Sequence, residues 1–166
     1  EILVGLSQSL SDSEIDNAYG RVSAPDKVLL VVITSNRGLC GAFNANVIKE
    51  ARRIVSEKYP DQFRKGNLQL LTIGKKGFDY FRKQSVKMLP EQNNLLNDLT
   101  FDNVSKVVDQ LMKSFTSGEF DRVELIYNQF KNAAVQNLTY EVFLPVQSVT
   151  PGKEKIVPVD YIYEPT

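Results

Sequence analysis

The segment whose residue types could do chemistry together is Ser35 to Asn44, "SNRGLCGAFN", which holds the sole cysteine of the chain beside an arginine and two glycines. A thiol near a helix N-terminus and next to Arg37 could be activated as a nucleophile. Glycines in a strand-to-helix loop could equally cradle a phosphate. Each of these chemistries needs companions. The chain has no histidine, so Cys40 has no imidazole base, Ser-His-Asp and Cys-His pairs are excluded, and the common zinc, haem and non-haem iron ligand sets cannot be assembled. Acid–base work would fall to carboxylates, lysine or tyrosine. A phosphate loop of the form G-x-x-x-x-G-K-[ST] is absent, because Gly38 and Gly41 stand three apart and no Lys-Ser or Lys-Thr follows them. The dinucleotide pattern G-x-G-x-x-G is met only in part. What remains for Cys40 is a small side chain packed where the loop meets the next helix, and for Gly38 and Gly41 backbone freedom at the turn. Arg37 has two readings: an ordinary solvated side chain, or a guanidinium held out to meet a carboxylate on a partner.

The elements around the loop determine what it can reach. Val28 to Ile33 is a run of six apolar residues rich in β-branched types, the pattern of a strand buried on both faces of a parallel sheet. From Phe43 the apolar period becomes helical, with Phe43, Val47, Ile48, Ala51, Ile54, Val55 and Tyr59 on one stripe, and Pro60 is expected to end that helix. Asn67 to Gly74 reads as a second buried strand and Lys75 to Lys83 as a short helix. "SVKML" before Pro90 reads as a third short strand. Thr100 is placed to cap a helix running to Gly118, with Phe101, Val104, Val107, Val108, Leu111 and Phe115 on its apolar face. Asp121 to Phe130 and the alternating "VQNLTYEVFLPV" then form an antiparallel hairpin across "KNAA". The order predicts an α/β, Rossmann-like three-layer domain with a mostly parallel sheet and an antiparallel edge hairpin, its binding groups at the carboxyl ends of the strands.

Composition narrows the function further. Lys plus Arg and Asp plus Glu are 20 each, so no overall field favours nucleic acid or an anionic membrane surface. No window approaches the roughly 20 consecutive apolar residues of a membrane span. At 166 residues the chain suits one principal domain. The expected division is 1–26, a remnant of an N-terminal helix and linker, with Leu3, Leu6 and Leu10 at near-helical spacing; 27–147, the α/β globular domain; and 148–166, an extension leading toward a C-terminal helix. Both ends read as interrupted, and apolar surface including Leu3, Leu6 and Leu10 is expected to be exposed.

The run "ITSNRGLCGAFN" closely resembles the signature of the γ subunits of F-type ATP synthases, a Thr/Ser-Ser/Thr-Asp-Arg-Gly-Leu-Cys-Gly-Gly/Ala run followed by Asn, with Asn36 where that family often has Asp. "DYIYEP", Asp160 to Pro165, resembles a second segment of the same family, and the two occur in the expected order. The resemblance implies a central-stalk rotor subunit that couples ion-driven rotation of the c-ring to the catalytic β subunits, has no cofactor, and makes no bonds itself. It implies contact with β through Asn36, Arg37, Gly38, Leu39, Cys40 and Gly41, and with the c-ring and ε subunit through Tyr161, Tyr163 and Glu164. The α and β subunits of the hexamer, ε and the c-ring are the partners it implies, with no nucleic acid and no direct membrane span. The implied location is peripheral, on the cytoplasmic face of a bacterial inner membrane. A small α/β nucleotide-binding enzyme domain is the alternative, and it predicts a ligand pocket with converging polar groups.

Overall fold

A computed structural model describes residues 19–20, 24–38, 40–132 and 135–146. Its centre is a five-stranded sheet in the order β3-β2-β1-β4-β5. Strand β1 (Val28–Ile33) lies in the middle, parallel to β2 (Leu68–Ile73) on one side and to β4 (Arg122–Asn132) on the other. The short β3 (Lys87–Met88) adds parallel to β2, and β5 (Val135–Leu144) closes the opposite edge antiparallel to β4. The mixed sheet and edge hairpin are those expected from the order of the elements.

The continuous apolar run of β1 follows from helices on both faces. Val28, Leu30 and Val32 point into a core with Val47, Ala51 and Ile54, whereas Leu29 and Val31 point into a second core with Val107, Leu111, Phe115 and Phe120. Period two along the strand thus feeds two cores at once. The first core lies under α1 (Phe43–Arg53), α2 (Pro60–Lys65) and α3 (Lys75–Phe81), and the second under α4 (Phe101–Thr116).

Two expectations are corrected. The stripe from Phe43 does not run as one helix to Pro60: it turns π-helical over Ile54–Lys58, with Tyr59 N–H donating to Ile54 O at 3.1 Å, and Pro60 opens α2 at its first turn. Proline there costs nothing, since a first-turn N–H has no intrahelical acceptor. The π turn brings Lys58 and Tyr59 together over the sheet. The second correction concerns Phe101, which is 86% exposed. Phe101 is the first residue of the helix and lies roughly 80° around it from Leu111, at the edge of the stripe that Val107, Leu111 and Phe115 bury. The Thr100 cap stands as expected, its hydroxyl accepting from Asn103 N–H at 3.3 Å.

One acid sits inside this packing. Glu124 on β4 is fully buried and accepts from Lys58 Nζ at 2.9 Å, Tyr59 Oη at 2.7 Å and Tyr140 Oη at 2.5 Å, with Arg122 Nη1 at 3.7 Å. A buried carboxylate needs such partners. Burial, with the Glu124 charge adding to it, raises both tyrosines above the ordinary phenol range. Beyond this network the hairpin outruns the sheet: β1 pairs with β4 as far as Val32 and Ile126, while β4 pairs with β5 to Asn132 and Val135. Leu3, Leu6, Leu10, Leu39, Tyr161, Tyr163 and Glu164 lie outside the described residues.

Candidate functional site

The loop after β1 is rooted in the sheet by Thr34. This residue is buried, keeps one sheet hydrogen bond from its N–H to Ile73 O (2.8 Å), and accepts from Gly77 N–H through Oγ1 (2.8 Å) while its hydroxyl donates to Gly74 O (3.2 Å). The approach is so close that a Cβ on Gly74 would stand 2.1 Å from Thr34 O, and Gly74 has φ of +105°. Glycine is required on both counts. The root of the loop and the turn from β2 into α3 are therefore one welded unit.

Asn36 extends the weld. Its Oδ1 accepts from Lys75 N–H at 2.9 Å, and its Nδ2 donates to Asn93 O at 3.1 Å and Asn97 Oδ1 at 3.0 Å. Asn93 opens a 3-10 turn over Asn93–Leu96 that no residue pattern announced. The donating amide also explains how asparagine serves where the resembling family often has aspartate: a carboxylate has no N–H to give.

The far side of the loop is clasped by Asn44 in the first turn of α1. Its Oδ1 accepts from Ser35 N–H (2.9 Å), and its Nδ2 reaches Ser35 Oγ (3.0 Å), Arg37 O (3.3 Å) and Cys40 Sγ (3.0 Å). Ser35 Oγ donates to Arg37 O at 2.6 Å. Cys40 is exposed, so its expected place as a packed side chain is corrected: it lies at the surface within this polar clasp because the apolar core begins only at Val47. Gly41 does take a left-handed conformation, φ of +55°, but Gly38 does not. Gly38 instead leaves room for Lys76, whose Nζ would be 3.3 Å from an added Cβ.

Amid this fixed backbone the Arg37 side chain is exposed and has no carboxylate within ion-pair distance among the described residues. Ser35, Asn36, Arg37, Leu96 and Asn97 line a shallow cleft of about 500 Å³ beside it. The structure thus brings Asn36, Arg37, Gly38, Cys40 and Gly41 onto one loop at the carboxyl end of the central strand. Thr34 and Asn44 lie within the quoted signature but were assigned no role there, and Gly74, Gly77 and Asn97 were not singled out from sequence. The "GKKG" turn after the second strand was the available signal, since it repeats the strand-to-glycine-to-helix arrangement of the first.

A family model described as ATP synthase matches residues 2–166. The chain belongs to the ATP synthase gamma-chain family. Among its relatives, the ATP synthase gamma chain of Flavobacterium johnsoniae is 45% identical over all of this chain and 55% of its own length. That of Chloroherpeton thalassium is 39% identical over all of this chain and 57% of its own length. The chain thus spans little more than half the length of the gamma chains it matches. Among solved structures, the central stalk and c-ring of the Tetrahymena thermophila mitochondrial ATP synthase is similar at a TM-score of 0.56 and 26% identity, over 84% of this chain and 59% of that one. The Euglena gracilis mitochondrial ATP synthase rotor shares the fold at a TM-score of 0.51 and 19% identity, over 85% of this chain and 51% of that one. Behind the exposed Arg37, the Asn36 and Asn44 side-chain donors are already used within the protein.

Proposed function

We propose that this chain is the central globular part of the rotor subunit of an F-type ATP synthase and that its loop 34–41 is the surface that meets the catalytic β subunits. The observation that carries the reading is Arg37: a guanidinium with no carboxylate within ion-pair distance among the described residues, on a loop tied to the start of α3, to α1 and to the 3-10 turn. A cation held this way offers bidentate geometry to a carboxylate and transmits displacement with little give. Asn36, Gly38, Leu39, Cys40 and Gly41 shape the turn that presents it.

In the mechanism that follows, ion flow turns the c-ring, the shaft turns with it, and unequal contacts with each β subunit bias the affinities of the catalytic sites. The rotor subunit makes and breaks no covalent bonds. It works with α and β in the hexamer and with ε and the c-ring at its foot, where Tyr161, Tyr163 and Glu164 supply the contact. The assembly sits on the cytoplasmic face of a bacterial inner membrane, and no helix among the described residues is long and apolar enough to cross one. Residues 1–26 and 148–166 lead from the 27–147 domain toward the long terminal helices of the shaft.

The test is reconstitution of the full-length gamma chain with cognate α and β. An active ATPase hexamer is expected, with coupling weakened by Arg37→Ala. Failure to assemble, together with tight nucleotide binding by the free chain, would overturn the reading in favour of a nucleotide-binding domain.

A further inference from the structure

We propose that Glu124, Tyr59 and Tyr140 form a binding site for the primary ammonium group of a small aliphatic amine, a site that the protein's own Lys58 fills as a tethered ligand. The site shares no residue with the loop 34–41 and does not depend on the rotor reading. Three elements build it. The end of the π turn supplies Lys58 and Tyr59, β4 supplies Glu124, and β5 supplies Tyr140.

The polar atoms converge on one point. Lys58 Nζ donates to Glu124 Oε1 at 2.9 Å and to Tyr140 Oη, and it stands 5.1 Å from the centroid of the Tyr59 ring. The two phenols in turn donate to the carboxylate, one to each oxygen, at 2.7 and 2.5 Å. The anion and the second acceptor are thus held in place by bonds that do not involve the ammonium, as a preorganised cation site requires. Burial is unequal: the Glu124 side chain is 0% exposed and that of Lys58 39%. The anion therefore belongs to the interior, while the cation enters from the solvent side. The ion pairs of Arg53, Arg64 and Arg82 differ, since each joins partly exposed groups three or four residues apart on a helix.

These contacts define the ligand. Both polar contacts are N–H donations, so the site takes an ammonium that carries N–H groups and discriminates against a quaternary one. A compact head is preferred to a planar one: Arg122, the other cation beside Glu124, stands 3.7 Å away. Cutting Lys58 back to alanine removes the atoms of n-propylammonium, and the space they leave opens to solvent because Lys58 is partly exposed. In the parental chain the tether keeps the site filled, and a free amine competes poorly against a ligand of such high effective concentration.

The test is chemical rescue of full-length gamma chain carrying Lys58→Ala, unfolded in urea with and without about 0.1 M n-propylammonium at constant ionic strength. A dissociation constant on the order of 10 mM, well inside the ceiling for a ligand of so few atoms, would raise the folding equilibrium constant about tenfold. Propanol and tetramethylammonium should each raise it less than about twofold, and so should n-propylammonium acting on the parental chain or on Lys58→Ala/Glu124→Gln. Should Lys58→Ala fail to fold unaided, rescue is read as recovery of folded chain when the amine is present during refolding. In the parental chain, acetic anhydride should modify Lys58 about fivefold more slowly than the exposed Lys49, because the amine must leave its partners to react. Equal rescue by propanol would make the space an apolar cavity, and better rescue by tetramethylammonium would make it an aromatic cage. Either result overturns the inference, as does absence of rescue or modification of Lys58 at the rate of Lys49.

Discussion

Replacing Lys58 by methionine should destabilise the domain more than replacing Glu124 by glutamine, although the two residues form one ion pair. Glu124 is fully buried, whereas the Lys58 side chain is 39% exposed and Arg122 23% exposed. Lys58→Met leaves a carboxylate inside the core with two phenol hydroxyls and a guanidinium 3.7 Å away as its remaining compensation. Breaking a buried pair in this direction typically costs 3–5 kcal/mol. Allowing for the tyrosines, for Arg122 and for water reaching the site that Lys58 vacates, about 2–3 kcal/mol is expected. Glu124→Gln removes the buried charge instead, keeps an acceptor for one hydroxyl, and strands two cations that can both reach water, so about 1 kcal/mol is expected.

The assay is urea unfolding of the chain at neutral pH, read by far-ultraviolet circular dichroism, comparing midpoints at constant slope. The Lys58→Met/Glu124→Gln double variant completes a cycle with the two single changes. Because the pair acts as a unit, its cost should fall short of the sum of the single changes by at least about 1 kcal/mol. A Lys58→Met chain within about 0.5 kcal/mol of the parent, or strictly additive single changes, would refute the argument that the buried charge governs this layer.

Other changes test separate parts of the structure. Gly74→Ala should prevent stable folding, at about 3 kcal/mol or more by thermal melting, since its Cβ would overlap Thr34 O, whereas Gly118→Ala, with φ of +77° and open space, should cost only about 1 kcal/mol. Asn36→Asp should lower the melting stability by about 1 kcal/mol, because Lys75 N–H keeps its acceptor while the Asn93 and Asn97 oxygens lose their donor and face a carboxylate. Tyr59 and Tyr140 predict alkaline sensitivity: with folded pKa values raised, their contribution is complete below the unfolded value near 10 and is lost as pH rises beyond it. Urea midpoints should therefore fall above about pH 10, and less steeply in Tyr59→Phe/Tyr140→Phe.

The sheet could be read from the chain because its signals are local and redundant. A six-residue apolar run between helical stripes has few alternatives, and the hairpin declares itself through the alternation of Leu138, Tyr140, Val142 and Leu144. The Lys58–Tyr59 turn was hidden because a π turn changes the period by one residue without altering composition, and Pro60 is compatible with ending one helix or starting another. Nothing in the strand run Asp121 to Phe130 marks Glu124 as a buried acid. Its burial depends on groups 65 and 66 positions away in sequence. In the loop, Arg37 stood out because a lone cation among small residues has no packing role. The roles of Thr34, Asn44 and Gly74 did not, since each acts through a hydrogen bond or close approach that residue type alone cannot specify.

The division of labour within the loop bears on how a rotor surface could work. A side chain that pushes on a partner loses force to any slack behind it, so stiffness has to come from the residues that hold the backbone rather than from the one that makes contact. In this chain Thr34, Ser35, Asn36 and Asn44 make hydrogen bonds that tie Arg37 to the β2–α3 turn, α1 and the 3-10 turn. The Arg37 carbonyl is held by Ser35 and Asn44, while its guanidinium has no ion pair among the described residues. Loss of Asn36 or Asn44 should therefore weaken coupling between rotation and catalysis while leaving assembly of the hexamer nearly intact, whereas loss of Arg37 should weaken both. Assembly affinity and the ratio of ATP synthesised to ions translocated, measured side by side for Asn44→Ala and Arg37→Ala in the full-length chain, would separate the two. Equal losses in both quantities for both variants would mean that the clasp serves folding alone.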